Sequence, residues 1–279
     1  MGHVRVITDS ACDLPKSWLE ELDIEVVPLS IRFGDEEFTD GVDLSADDFW
    51  KRCRESDKLP ETAAPSPGAF QAAYERAAAD GCAGVVAVTL SKDLSGTFQA
   101  ATVGAEATSA VPVKVVDSRT VTAAQGMLVL DAAEFARTGA GIEDVASRVE
   151  SRIADSDVAG TLNTLDHLIK GGRLSGAKAL FGSLLSVKPL LTVRDGKVVE
   201  DGRQRTRARA IEHICARAES AGPVDWLACA GGDADDLGTV AERLAKVHSD
   251  HPLIVTEIGP VVGTHGGPGI IGVCWLKRR

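Results

Sequence analysis

The chain has 279 residues, 44% of them hydrophobic and 25% charged, with a formal net charge of −11; it is long enough to bury its own core. That charge opposes stable docking on nucleic acid or on an anionic bilayer, and so points to small molecules and proteins as partners, with only transient membrane contact. The six cysteines are scattered, without a C-x-x-C pair or histidines at zinc spacing, and they read as buried thiols in a reducing compartment.

No run of about 18 apolar residues could span a membrane, and the opening MGHVRVITDS lacks the apolar stretch of a signal peptide, so a cytoplasmic location is expected. Residues 4–10 (VRVITDS), 84–90 (GVVAVTL) and 113–118 (VKVVDS) are nearly continuous apolar runs that end in polar residues. This is the pattern of parallel strands covered on both faces. Each run precedes a helical stretch, PKSWLEEL, FQAATVGAEAT or TAAQGMLVLDAAEFAR, so the order is βαβ. Residues 25–44 alternate around Gly34 and predict a hairpin inserted into that order.

Beyond residue 155 the texture changes. AGTLNTL predicts a strand, DHLIKGGRLSGAKALFGSLLS predicts helices around a glycine-rich corner, and KPLLTVRDGKVVE predicts a hairpin at Asp195-Gly196. A helix (RTRARAIEHICARAES), a strand (DWLACAGG), a helix (LGTVAERLAKV) and the strands PLIVTEIG and GIIGVCWL follow. The expected fold class is therefore α/β, with a parallel-sheet N-terminal domain over residues 1–155 and a second α/β domain over 156–279.

Polar clusters at strand and helix ends are the candidate sites, because α/β folds place ligands there. Ser95-Gly96-Thr97 follows a strand and opens a helix, where N–H groups and the helix dipole favour an anion; the plain alternative is an ordinary N-cap. Thr62 sits in ETAAPSPGAF, a proline-stiffened helix-entry loop with Ser66 as the cap. His265 lies in GPVVGTHGGPGIIG, where glycines permit close backbone approach and an imidazole can donate to a carboxylate or move a proton. The embedded G-x-G-x-x-G is not a dinucleotide site, because no βαβ unit with a downstream acid can follow it.

Arg173 in KGGRLSG, and Arg203, Arg205, Arg207 and Arg209 in RQRTRARA, are the basic clusters. The second has the pattern of a solvated helix face, although arginine also suits carboxylate and phosphate. In ITDSACDLP, Asp13 is expected to cap the following helix, and His248 and His251 are expected on a surface loop. No phosphate loop, nucleophile elbow or H-E-x-x-H is present, so the chain has no evident means of binding ATP by itself.

In order along the chain, ITDSACDLP, PSPGAF with TLSKDLSGTFQAA, VVDSRTVTAAQGMLV, LIKGGRLSGAKALFGSLLSVKPLLTVRDGKV and IGPVVGTHGGPGIIGV strongly resemble the DegV family of fatty-acid-binding proteins. The resemblance implies two α/β domains with one long-chain fatty acid between them. It also implies that the protein is the lipid-carrying subunit of a fatty acid kinase, inactive alone and without a cofactor of its own. A dihydroxyacetone-kinase-like subunit would bring ATP and phosphorylate the bound carboxylate to an acyl phosphate. By matching motif, Ser95, Thr62 and His265 would hold the carboxylate, with backbone contacts from Gly96 and Thr97. Arg173 and Arg205 would serve phosphoryl transfer or kinase docking.

One departure is that Ala63-Ala64 stands where the family commonly has Ser-Gln. For such a ligand, burying ~16 methylenes at roughly 0.8 kcal/mol each offers about 13 kcal/mol of gross burial energy. Two other readings remain open at this point: a lipid sensor or transport protein without a kinase partner, and a free-standing hydrolase with Ser95 as nucleophile and His265 as base.

Overall fold

The computed structural model describes residues 2–56, 58–174 and 187–279, which form three sheets. The first half runs β1 (Val4–Asp9), a 3-10 turn (Ser10–Cys12), α1 (Lys16–Glu21), β2 (Glu25–Val27), β3 (Ser30–Phe33), β4 (Glu36–Thr39), α2 (Ala46–Glu55) and β5 (Glu61–Ala63). It continues with α3 (Pro67–Ala79), β6 (Gly84–Thr89), α4 (Thr97–Ala107), β7 (Val113–Asp117), α5 (Ala123–Arg137) and α6 (Ile142–Arg152). A parallel sheet has the order β2-β1-β6-β7. Every residue of β6 is buried, which explains an apolar run without alternation.

The stretch 25–44 divides in two. Its first strand, β2, joins the parallel sheet, and only β3 and β4 form the hairpin, turning at Gly34 with φ 61°. A distant segment, β5, completes this small sheet in the order β4-β3-β5. Thr62 therefore lies on a strand, opposite Ile31, and not in the loop that its prolines suggested. Ser66 does cap α3, accepting from the Ala69 N–H at 3.2 Å.

The second half runs β8 (Ser156–Thr161), α7 (Asp166–Lys170), β9 (Lys188–Arg194), β10 (Lys197–Gln204), α8 (Arg207–Glu219), β11 (Val224–Gly232), α9 (Leu237–Leu244), β12 (Ile254–Glu257), α10 (Pro260–Gly266) and β13 (Ile270–Lys277). The helices expected over 175–186 lie outside the described residues. The sheet order is β10-β9-β8-β13-β11-β12, and among the described residues β11 with β12 is its one parallel pair. One face packs on α8 and α9 through Ala159, Ile214, Val240 and Val273.

The opposite face meets the first half across α5, whose residues are buried from Ala123 to Ala133. Val6, Val88, Met127, Leu130, Val158, Cys274 and Leu276 form one core, so the two large sheets share a single apolar interior. Small residues let α5 fit: a Cβ on Gly126 would stand 2.8 Å from the Cys12 carbonyl oxygen.

Asp13 pins the two halves together instead of capping a helix. It is buried with φ 47°, and its Oδ2 accepts from the Thr122 hydroxyl at 2.6 Å while Oδ1 accepts from the Gly259 N–H at 2.9 Å. Its carbonyl accepts from the Thr256 hydroxyl at 2.7 Å. Burial raises the Asp13 pKa to about 7 against those donors. His251 lies in a loop as expected but is half-buried: its ring stacks on Trp226 at 3.6 Å, and its Nε2 lies 3.5 Å from Glu134 on α5.

Removing the Asp13 carboxylate orphans the buried Thr122 hydroxyl and the Gly259 N–H. Asp13→Ala should therefore cost on the order of 2–4 kcal/mol of stability, read as a lower urea midpoint; an unchanged midpoint would contradict the clamp.

Candidate functional site in the interdomain cavity

Between the halves lies a partly open cavity walled mainly by aliphatic side chains with a few polar groups, the composition expected of a small-molecule site. Leu90, Leu94 and Val121 wall it from the first half, and Val158, Leu162, Leu191 and Val262 from the second. Thr62, Ser95, Thr122, Thr192 and His265 are its polar lining, and of the described lining residues Arg173 alone is charged.

Ser95 follows β6 and immediately precedes Gly96, the N-cap of α4. Gly96 supplies no side-chain cap. Instead the Ser95 Oγ reaches forward, accepting from the Thr97 N–H at 3.3 Å and lying 2.9 Å from the Thr97 Oγ1. If the Thr97 hydroxyl donates across that contact, the Ser95 proton is free to point into the cavity. The N–H groups of the first turn of α4 have no intrahelical partner, and they open beside this hydroxyl. Ala64 borders the turn, with its Cβ 3.9 Å from where a Gly96 Cβ would stand, so the Ala63-Ala64 departure falls against the candidate site.

His265 is carried by α10, whose entry at Gly259 is held by Asp13. Its Nε2 lies 3.1 Å from the Thr62 Oγ1, so α10 and the edge strand β5 bring together residues 203 positions apart. Its Nδ1 is buried without a partner among the described residues and faces Gly171, where an added Cβ would overlap the ring. Burial first, then the Arg173 and His167 charges, push the His265 pKa down to about 4. The ring is therefore neutral at neutral pH, and with its proton on Nε2 it donates to Thr62 and frees the threonine proton for a ligand.

Arg173 donates from Nε to the Leu94 carbonyl at 3.2 Å and from Nη1 to the Gly171 carbonyl at 2.7 Å. One side chain thus ties the segment after α7 to the turn that presents Ser95. Among the described residues it has no carboxylate partner. Arg205 is placed differently: it is exposed, ahead of the Thr206 N-cap of α8, and does not line the cavity. Its neighbours Arg203 and Arg207 pair with Glu200 and Asp236, so two of the four arginines in the basic run are neutralised.

The Ser/His pair is not wired as a dyad. His265 engages Thr62, Ser95 engages Thr97, and among the described residues no carboxylate orients the imidazole. Asp9 accepts from the Ala11 and Leu90 N–H groups and, like Asp13, serves the frame of the fold. Sequence reasoning missed the Leu94 carbonyl that anchors Arg173 and the Gly171 backbone against His265. The only trace of either in the sequence is the Gly171-Gly172 pair.

Fold and site define an α/β protein of two sheet-based halves, with an aliphatic cavity between them that carries hydroxyl, imidazole and guanidinium groups. Residues 3–278 match the family described as "Uncharacterised protein, DegV family", and the chain belongs to the DegV family. It is 36% identical over 280 residues to a DegV domain-containing protein of Streptomyces coelicolor, covering 99% of each chain. Among solved structures it is similar to DegV, a fatty acid binding protein from Bacillus subtilis, with a TM-score of 0.90 and 30% identity over 100% of both chains. A DegV family protein from Thermus thermophilus, described for its fatty acid binding, aligns with a TM-score of 0.89 and 30% identity over 99% of this chain and 100% of that one.

Because the His265 pKa lies near 4, below its ordinary 6.5, its contribution to stability is complete above pH 6.5 and is lost as the pH falls through about 4. Compared with His265→Gln, which does not titrate, the wild type should lose stability over that interval. Urea midpoints at pH 7 and 4.5 measure this, and a difference independent of pH would contradict a buried neutral imidazole.

Proposed function

We propose that this chain encloses one long-chain fatty acid between its halves, 1–155 and 156–279, and presents the carboxylate to a separate ATP-binding subunit of the dihydroxyacetone-kinase type. The observation that carries the proposal is the placement of Thr62, Ser95, His265 and Arg173 on one cavity whose remaining lining is aliphatic apart from Thr122, Thr192 and glycines. The solved relatives described as fatty acid binding, at TM-scores of 0.90 and 0.89, support it.

In this reading Thr62, supported by neutral His265, and Ser95, supported by Thr97, each donate to a carboxylate oxygen. The Gly96 and Thr97 amides complement the charge at the mouth of α4. The acyl chain lies along the aliphatic walls, where burial supplies most of the affinity. For phosphorylation, a carboxylate oxygen attacks the γ-phosphorus of ATP held by the partner; the bond to ADP breaks, ADP leaves, and an acyl phosphate remains. Arg173 stands where it can balance the incoming phosphoryl charge, and exposed Arg205 suits contact with the partner.

The nucleophile is thus the ligand's own carboxylate, and the isolated chain has no catalytic activity and needs no cofactor of its own. The Thr62–His265 contact counts against Ser95 as the nucleophile of a hydrolase. A cytoplasmic location belongs to the same reading, since ATP and the partner are there.

Mass spectrometry of lipid extracted from the denatured protein should find a long-chain fatty acid; finding none, with no uptake when one is supplied, would sink the proposal. Ser95→Ala removes one hydrogen bond to a charged group, worth about 1.5–3 kcal/mol, and should speed release about ten- to hundredfold. Unchanged release kinetics would remove Ser95 from the head-group site. Adding ATP and a kinase subunit of the stated type should yield acyl phosphate; a protein that retains lipid but supports no such transfer would be a carrier or sensor.

A further inference from the structure

The wall that the second sheet gives to the cavity is bare at its centre. Side chains alternate along a strand, and on β13 the odd-numbered Ile271, Val273 and Trp275 pack toward α8 and α9. Ile270, Gly272 and Cys274 therefore face the first half, as do Val158 and Gly160 on β8 and Leu162 just past its end. The register sets Gly272 directly beside Gly160, with Leu191 beyond it on β9 and Ala230 on the other side on β11.

Along the strands, Leu162 and Ile270 mark the end nearest the polar groups, because Arg173 follows β8 through α7 and His265 precedes β13. Val158 and Val193 also line the cavity, and the register of β8 with β9 puts them at the opposite end of this wall from Leu162. Gly160 and Gly272 lie between, on a path of about 13 Å from Leu162 to Val158 at 3.3 Å per residue.

Neither glycine is required by its backbone, since both are absent from the positive-φ positions. A Cβ at Gly160 would meet the Ile271 carbonyl oxygen at 3.3 Å, whereas a Cβ at Gly272 would meet nothing within 4 Å. Glycine inside a strand weakens it and marks a place where something else approaches the backbone closely. At Gly272 the space in front is the cavity.

We infer that Gly272 is the specificity-determining position of the cavity: its missing side chain is the gap through which an acyl chain passes from the polar end to the Val158 end. The inference rests on the fatty-acid reading above and adds a chain-length preference, for acyl chains long enough to cross Gly272. Any side chain there stands in the path and shortens the chain that fits.

The test compares stearate and decanoate affinities for the wild type, Gly272→Ala and Gly272→Val. Gly272→Ala adds one methyl into open space and guards against a Val variant that fails to fold; thermal melts check both. The stearate-to-decanoate affinity ratio should fall stepwise from Gly to Ala to Val. Excluding two or three methylenes corresponds to a loss of about 15- to 60-fold. Wild-type protein that binds neither acid would remove the fatty-acid reading and this inference with it. Wild-type protein that prefers stearate, with the same ratio in both variants, would overturn the inference alone.

Discussion

A cavity walled by aliphatic side chains from two facing sheets keeps its shape only if contacts elsewhere fix the sheets relative to each other. Two features do this. Helix α5 joins both sheets in one core, and the buried Asp13 carboxylate ties the start of α5, through Thr122, to the entry of α10, through Gly259. Because α10 carries His265, the same clamp that fixes the halves also fixes the imidazole. Trp50 reinforces it, donating from its indole N–H to the Ile258 carbonyl at 3.1 Å, just ahead of Gly259.

The cavity separates two tasks. Its aliphatic length offers burial energy that grows with each methylene, while its polar groups fix which end of a ligand goes where. The chemistry of that end suits an anion: hydroxyl donors, a helix mouth, and a guanidinium whose partners among the described residues are carbonyls. A neutral His265 fits this arrangement better than a charged one, because it sets the direction of the Thr62 hydroxyl without adding a second cation beside half-buried Arg173. The chain's net charge of −11 makes this local reversal of sign the more specific.

Much of the frame was legible in sequence. Apolar runs such as GVVAVT announce buried parallel strands because no alternation is possible when both faces are covered, and the ordered motifs carried the family. What was not legible depended on distant partners. Thr62 looked like part of a loop because its prolines are local signals, whereas its strand pairing comes from Ile31. Asp13 looked like a cap because an acid ahead of a proline and a helix usually is one; its donors lie at Thr122 and Gly259. His251, next to a proline in a polar stretch, gave no sign of its stacking on Trp226.

The candidate site divides the same way. Ser95-Gly96-Thr97 and His265 stood out from their glycines and strand ends; Ser95 and His265 line one cavity, whereas Gly96 and Thr97 are not among its lining residues. The sequence could not name the aliphatic lining, because any Val or Leu of a buried strand qualifies until the facing sheet is known. Arg205, grouped with the site by its motif, lies at the surface away from the cavity.

A crystal structure of the protein with a terminally brominated long-chain fatty acid tests the central claim most directly. The account predicts a carboxylate within hydrogen-bond distance of the Ser95 and Thr62 hydroxyls, and anomalous bromine signal beyond Gly272, beside Val158. A head group bound elsewhere, or a cavity left empty in the presence of the acid, would contradict it.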